Sequence, residues 1–164
     1  MFPDDIDALA ATVIRLASAR GLQVATAESC TGGLVAGALT GVAGSSAVVD
    51  RGFVTYSNAA KSDLVAVPAA LIDAHGAVSE PVARAMAAGA LARSGAGVTV
   101  AITGIAGPGG GTADKPVGLV HFAAAGPTGL VHAEHRFGDI GREGVRLASV
   151  RVALALLIDR LQAG

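Results

Sequence analysis

A serine becomes a nucleophile only where a neighbouring base takes its proton, as in Ser-His and Ser-Lys arrangements. Ser29 has the right setting for this. It lies in Thr26-Ala27-Glu28-Ser29-Cys30-Thr31-Gly32-Gly33, where the apolar run 22–25 gives way to the helix-like run 34–39. A strand-to-helix turn presents polar side chains beside free backbone N–H groups, which favour anions and developing oxyanions. The same position also suits a helix N-cap. The turn lacks Gly-x-Ser-x-Gly, which separates it from a hydrolase nucleophile elbow. Ser46, in Gly44-Ser45-Ser46, is the rival nucleophile. Lys61 is the candidate base, because lysine is sparse in this chain and partial burial would lower its pKa.

Other residues supply a setting for that chemistry. Glu28 can orient a ligand hydroxyl or Lys61, or complement a helix N-terminus. Tyr56, the single tyrosine, can stack, hydrogen-bond or pack at a strand end. Gly104 and Gly107 open the run Thr103-Gly104-Ile105-Ala106-Gly107-Pro108-Gly109-Gly110-Gly111-Thr112, whose backbone can approach a ligand closely. That run lacks the Lys-Ser/Thr ending of a phosphate-binding P-loop, so nucleoside triphosphate hydrolysis is poorly supported. The histidines, at 75, 121, 132 and 135, show no metal spacing and read as packing or surface residues. Cys30 is the only cysteine, which excludes a disulfide or a thiolate metal cluster within one chain.

The elements that must position these residues follow from periodicity and punctuation. Apolar residues at helical spacing predict an amphipathic helix over 4–20. A strand over 22–27 and a helix over about 32–40 flank Ser29. Residues 41–46 read as a small-residue loop, and 48–56 as a strand. Lys61 falls at the start of a short helix, and Pro68 at the first position of another that runs to about 75. Ser79 is placed to cap a helix to 93, with Pro81 inside its first turn. The continuous apolar run 98–102 suits a strand covered on both faces. Strands over 117–125 and 129–137 form an antiparallel hairpin through Gly126-Pro127-Thr128, and 142–161 is the closing helix. Helices alternating with strands predict an α/β fold, a single-domain three-layer α/β/α sandwich with a mixed sheet. Ligands in such folds collect beyond strand C-terminal ends, so the loops at Ser29, 56–61 and 103–115 are expected to converge.

Composition bounds the class. At 164 residues the chain is long enough to bury a core without staples. Its net charge of −1 and scattered Lys and Arg give no electrostatic footprint for nucleic acid. The long uncharged stretches 30–49 and 94–113 are broken by Gly, Ser, Thr or Pro, and so do not read as membrane spans. The acidic start Met1-Phe2-Pro3-Asp4-Asp5 is unlike a secretory signal, which leaves a cytoplasmic enzyme as the expectation.

Four ordered motifs, spanning nearly the whole chain, carry a resemblance. They are Ala27-Glu28-Ser29-Cys30-Thr31-Gly32-Gly33; Gly52-Phe53-Val54-Thr55-Tyr56-Ser57-Asn58 with Lys61; Gly76-Ala77-Val78-Ser79; and 103–111 with Lys115-Pro116-Val117-Gly118. Together they resemble the CinA C-terminal domain family. The resemblance implies nicotinamide mononucleotide deamidase activity in pyridine nucleotide salvage, a serine–lysine mechanism without metal or other cofactor, and a homo-oligomer. Carried over by motif, it makes Ser29, Ser46 and Lys61 the catalytic candidates and Glu28, Tyr56 and Thr103 site-lining residues. Many relatives carry a larger N-terminal domain, so residues 1–164 resemble the stand-alone form. The family runs Gly-Asp directly into Arg, whereas Ile140-Gly141 intervene here between Asp139 and Arg142. Arg142 or Arg146 therefore takes the phosphate position, with Arg142 preferred. The alternative from another class is a nucleotide-binding or regulatory module that keeps the pocket without turnover.

Overall fold

Strand β1 (Val24–Glu28) is an interior strand of the sheet with all five residues buried. In a computed structural model describing Met1–Gly164 it pairs in parallel with β2 (Val49–Val54) on one side and β3 (Val98–Gly104) on the other. The hairpin β4 (Leu119–Gly126) and β5 (Gly129–Arg136) extends the sheet in antiparallel fashion, giving the order β2-β1-β3-β4-β5. Helices cover both faces, because a strand buried on both sides needs two apolar layers. On one face α1 (Asp4–Arg20), α2 (Leu34–Thr40) and α6 (Arg142–Gln162) build a core around Phe122, Ile102, Leu154 and Leu157. On the other, α3 (Asn58–Val65), α4 (Ala69–His75) and α5 (Glu80–Ala92) close over Ala27, Ala101 and Ala123. This is the three-layer mixed-sheet sandwich that the alternating pattern implies.

Local chemistry sets the boundaries. Helix α1 carries Asp4, Asp5 and Asp7 in its first turn, where they complement the macrodipole, and ends at left-handed Gly21. Helix α2 begins at Leu34 rather than near residue 32, because Gly32 and Gly33 sit at φ 57° and 101°, outside helical space. Strand β1 starts two residues later than its apolar run suggests and continues through Glu28. Strand β2 ends at Val54 rather than residue 56, as the chain turns into α3, whose N-cap Ser57 accepts from the Ala60 N–H at 3.0 Å. Pro68 is the N-cap of α4, one position before the expected first turn. Residues 45–47 form a short 3₁₀ turn within the expected loop. Ser79 stands at the N-cap of α5, but its hydroxyl donates to the Gly76 carbonyl at 2.8 Å instead of accepting from the helix.

Two consequences bear on the site. The parallel strands β1, β2 and β3 end at one edge, with Glu28 opposite both Val54 and Ile102. The ladder runs one step further: Thr55 N–H donates to the Glu28 carbonyl at 2.8 Å, and Ser29 N–H to the Ile102 carbonyl at 2.9 Å. Ser29 is thus fixed by the sheet itself. Helix α3, which carries Lys61, is held against α5 at Gly89, where an added Cβ would lie 1.7 Å from the Val65 carbonyl oxygen. Gly89→Ala must push α3 away from α5. We expect a loss of about 1–3 kcal/mol in urea unfolding, and wild-type stability in this variant would contradict so close an approach.

Candidate active site

Beyond the strand ends lies a cavity of about 280 Å³ that Ser29, Tyr56, Lys61, Thr103, Gly104, Gly107 and Arg142 all line. The loops expected to converge do so. Cys30, Asn58, Ala77 and Val78 also line it, none of which was assigned a role from sequence. Each sits inside one of the four motifs, so adjacency to a named candidate was the available signal.

Lys61 is the fourth residue of α3, a full turn deeper than its expected place at the helix start, and it is 1% exposed. Its Nζ lies 3.0 Å from Ser29 Oγ, 2.9 Å from the Thr55 carbonyl and 3.4 Å from the Tyr56 carbonyl. The amine forms no salt bridge. Burial without a counter-ion penalises the charged form and lowers the Lys61 pKa from its ordinary value of 10.5. A Cys30 thiolate would oppose that shift. Burial, however, pushes the Cys30 thiol up to about 12, so the sulfur is neutral at physiological pH. The two carbonyls can only accept, so they fix two N–H groups of the amine. In neutral Lys61 the remaining position is a lone pair facing Ser29 Oγ. An amine so placed can accept a proton from the Ser29 hydroxyl.

Ser29 is 9% exposed and is not a helix cap, since Gly33 is the N-cap of α2. The cap function passes to Glu28, whose side chain lies behind the cavity rather than in it. Its carboxylate accepts from Val35 N–H at 2.8 Å, Ala36 N–H at 3.0 Å and Thr26 Oγ1 at 3.1 Å. Glu28 therefore neither lines the site nor pairs with Lys61; it fixes the turn that carries Ser29. Thr103 donates to the Ala77 carbonyl at 2.8 Å, tying β3 to the opposite wall.

Ser46 stands apart. It is exposed and lines a separate groove with Ser45, Asp50 and Gly52, beside the other half of β2. Within one chain the fold does not bring it to Lys61. The two arginines are likewise separated. Arg142, first residue of α6, spans the cavity mouth, donating to the Gly107 carbonyl at 2.8 Å and to Tyr56 Oη at 3.2 Å. Arg146 turns away and donates to the carbonyls of Cys30 and Thr31 at 3.1 and 3.2 Å, bracing the Ser29 turn. Backbone N–H groups of Cys30, Ala106 and Gly107 take no backbone acceptor.

The CinA C-terminal domain profile matches residues 6–161. The chain belongs to the CinA C-terminal domain family. A CinA-like protein of Anaeromyxobacter dehalogenans is 54% identical over 158 residues, covering 96% of this chain and 38% of its own length. A putative competence-damage inducible protein of Symbiobacterium thermophilum is 52% identical over 166 residues, with 96% and 39% covered. The chain thus spans about two fifths of the curated relatives it matches. Among solved structures, a competence/damage inducible protein of Agrobacterium tumefaciens superposes with a TM-score of 0.95 at 59% identity, covering 97% of each chain. A CinA superfamily protein of Klebsiella pneumoniae gives 0.91 at 38% identity, covering 97% and 99%. No helix of the protein is long and apolar enough to cross a membrane.

The buried amine makes a stability prediction with a definite sign. A lysine whose folded pKa is depressed binds fewer protons folded than unfolded, so stability rises with pH towards the unfolded value. Lys61→Met removes the amine with little change in shape. The variant should be more stable than wild type at neutral pH, and the gap should shrink as pH approaches 10.5. Urea unfolding of both proteins across that range reads it directly, and a variant less stable at every pH would contradict an uncompensated buried amine.

Proposed function

We propose that this chain hydrolyses the carboxamide of nicotinamide mononucleotide, releasing ammonia and nicotinic acid mononucleotide, with Ser29 as nucleophile and Lys61 as base. The observation that carries this reading is the 3.0 Å contact between Ser29 Oγ and a buried Lys61 Nζ that has no counter-ion. The family resemblance supports the choice of substrate and a homo-oligomeric assembly.

Neutral Lys61 takes the Ser29 proton as Oγ attacks the carboxamide carbon. The resulting oxyanion would be met by N–H groups without backbone acceptors, such as those of Cys30, Ala106 or Gly107. Lys61 returns the proton to the departing nitrogen, the C–N bond breaks and ammonia leaves an acyl-Ser29 ester. Lys61 then deprotonates a water, which attacks the ester. Collapse releases the carboxylate product, and the proton returns to Ser29. One base serves both half-reactions, as a serine–lysine pair requires. The nucleotide phosphate is assigned to Arg142 and the α6 N-terminus, where the first intrahelical acceptor is used only by Val145 N–H. Two Arg142 donors are already engaged by Gly107 and Tyr56, which holds the guanidinium across the mouth.

Ammonia release from nicotinamide mononucleotide tests the assignment. Ser29→Ala and Lys61→Ala should each lose about 100-fold or more in kcat, while Ser46→Ala retains activity. Arg142→Gln should raise KM by about tenfold to a hundredfold, the worth of a lost charge-assisted contact. Undiminished turnover in the Lys61 variant would overturn the mechanism. Tight binding of the nucleotide by wild type without ammonia release would favour a regulatory module.

A further inference from the structure

Residues 75–77 are held in an unusual way. The carbonyls of His75, Gly76 and Ala77 take no backbone donor, and each accepts from a side chain instead. The donors are Lys115 Nζ at 2.6 Å, Ser79 Oγ at 2.8 Å and Thr103 Oγ1 at 2.8 Å. This strap matters because Ala77 and Val78 line the cavity on the side facing the glycine-rich wall 104–110. Ser79 belongs to the strap's own helix start, so it ties the strap only to itself. Thr103 and Lys115 come from the opposite wall and are the two cross-links between the sides.

The cross-links differ in what supports them. Thr103 is a core residue of β3, 1% exposed, at the base of the wall. Lys115 lies at the far end of the loop, after the exposed run 108–114, and does not line the cavity. Its backbone closes a small turn: Thr112 N–H donates to the Lys115 carbonyl at 2.8 Å, and Lys115 N–H to Thr112 Oγ1 at 3.0 Å. The loop then returns to its own root, where Gly118 N–H donates to the Ile105 carbonyl at 2.8 Å. The ammonium reaches the last residue of α4, where free carbonyls favour a cation.

We propose that Lys115 is a positioning residue that sets the width of the pocket by pinning the glycine-rich loop to the 75–79 strap. Thr103 fixes the base of the gap, and Lys115 fixes its outer end. The claim that this width governs the ligand rests on the pocket being the deamidase site proposed above. The pin itself does not.

Hydrogen exchange of the unliganded protein separates the two. In Lys115→Met, amides of both the strap and the loop 104–118 should exchange about tenfold faster, the effect of losing one charge-assisted bond. Strand β3 over 98–102 should be unchanged, and Lys115→Arg should restore both segments. Faster exchange confined to the loop, or none in either segment, would overturn the pin. With nicotinamide mononucleotide as substrate, Lys115→Met should raise KM about tenfold while kcat falls less than threefold, a split that general destabilisation would not produce. An unchanged KM alongside a loosened strap would overturn the positioning role. Absence of turnover in wild type would instead overturn the deamidase reading and leave the exchange result to decide the pin.

Discussion

The structure depends on one costly contact: a lysine amine buried without a counter-ion, 3.0 Å from a serine hydroxyl. Such burial is unfavourable for the charged form, and it persists only where surrounding polar groups hold the amine in place. Here the carbonyls of Thr55 and Tyr56 do so, at the point where β2 ends and the chain turns into α3. Ser29 comes from the neighbouring strand, fixed by its bond to the Ile102 carbonyl of a third strand. The parallel arrangement of β1, β2 and β3 is what places Ser29, Lys61 and the glycine-rich wall at one edge.

Glu28 shows why Lys61 has no ion-pair partner. A buried carboxylate next in sequence to Ser29 would be the natural partner for Lys61, and an ion pair would hold the amine protonated. The carboxylate is instead turned to the start of α2, where two backbone N–H groups and the Thr26 hydroxyl occupy it. The left-handed Gly32 and Gly33 permit this, since they delay α2 until its free N–H groups lie over Glu28. Arg146 braces the same turn from the other side through the Cys30 and Thr31 carbonyls. The two buried groups are thereby satisfied separately, and Lys61 is left to face the hydroxyl.

Much of this was legible in the sequence, for identifiable reasons. The mixed sheet with helices on both faces follows from helices alternating with strands and then a hairpin, and the apolar run 98–102 marked the central strand β3. Ser29 could be singled out by its strand-to-helix turn, Lys61 because lysine is sparse in the chain, and Tyr56 as the single tyrosine, whereas Arg142 came only through the family resemblance. What escaped was side-chain direction. Whether Glu28 faced the ligand or the helix depended on φ angles at Gly32 and Gly33, which residue identity permits without dictating. From its position alone Ser29 read better as a cap or ligand contact than as a nucleophile, because a strand-to-helix turn favours serine for either purpose. The separation of Arg142 from Arg146 depended on where α6 begins, and the Ser46 groove on which end of β2 its loop occupies. The carbonyls that hold Lys61 left no trace in residue type at all.

The central claim is that Lys61 can stand neutral beside Ser29 near working pH. An NMR titration of the Lys61 side chain, assigned by comparison with Lys61→Met, measures this without reference to any substrate. The account predicts a midpoint clearly below 10.5. A midpoint at or above that value would mean the amine stays charged in its burial site, and the serine–lysine chemistry built on it would fall.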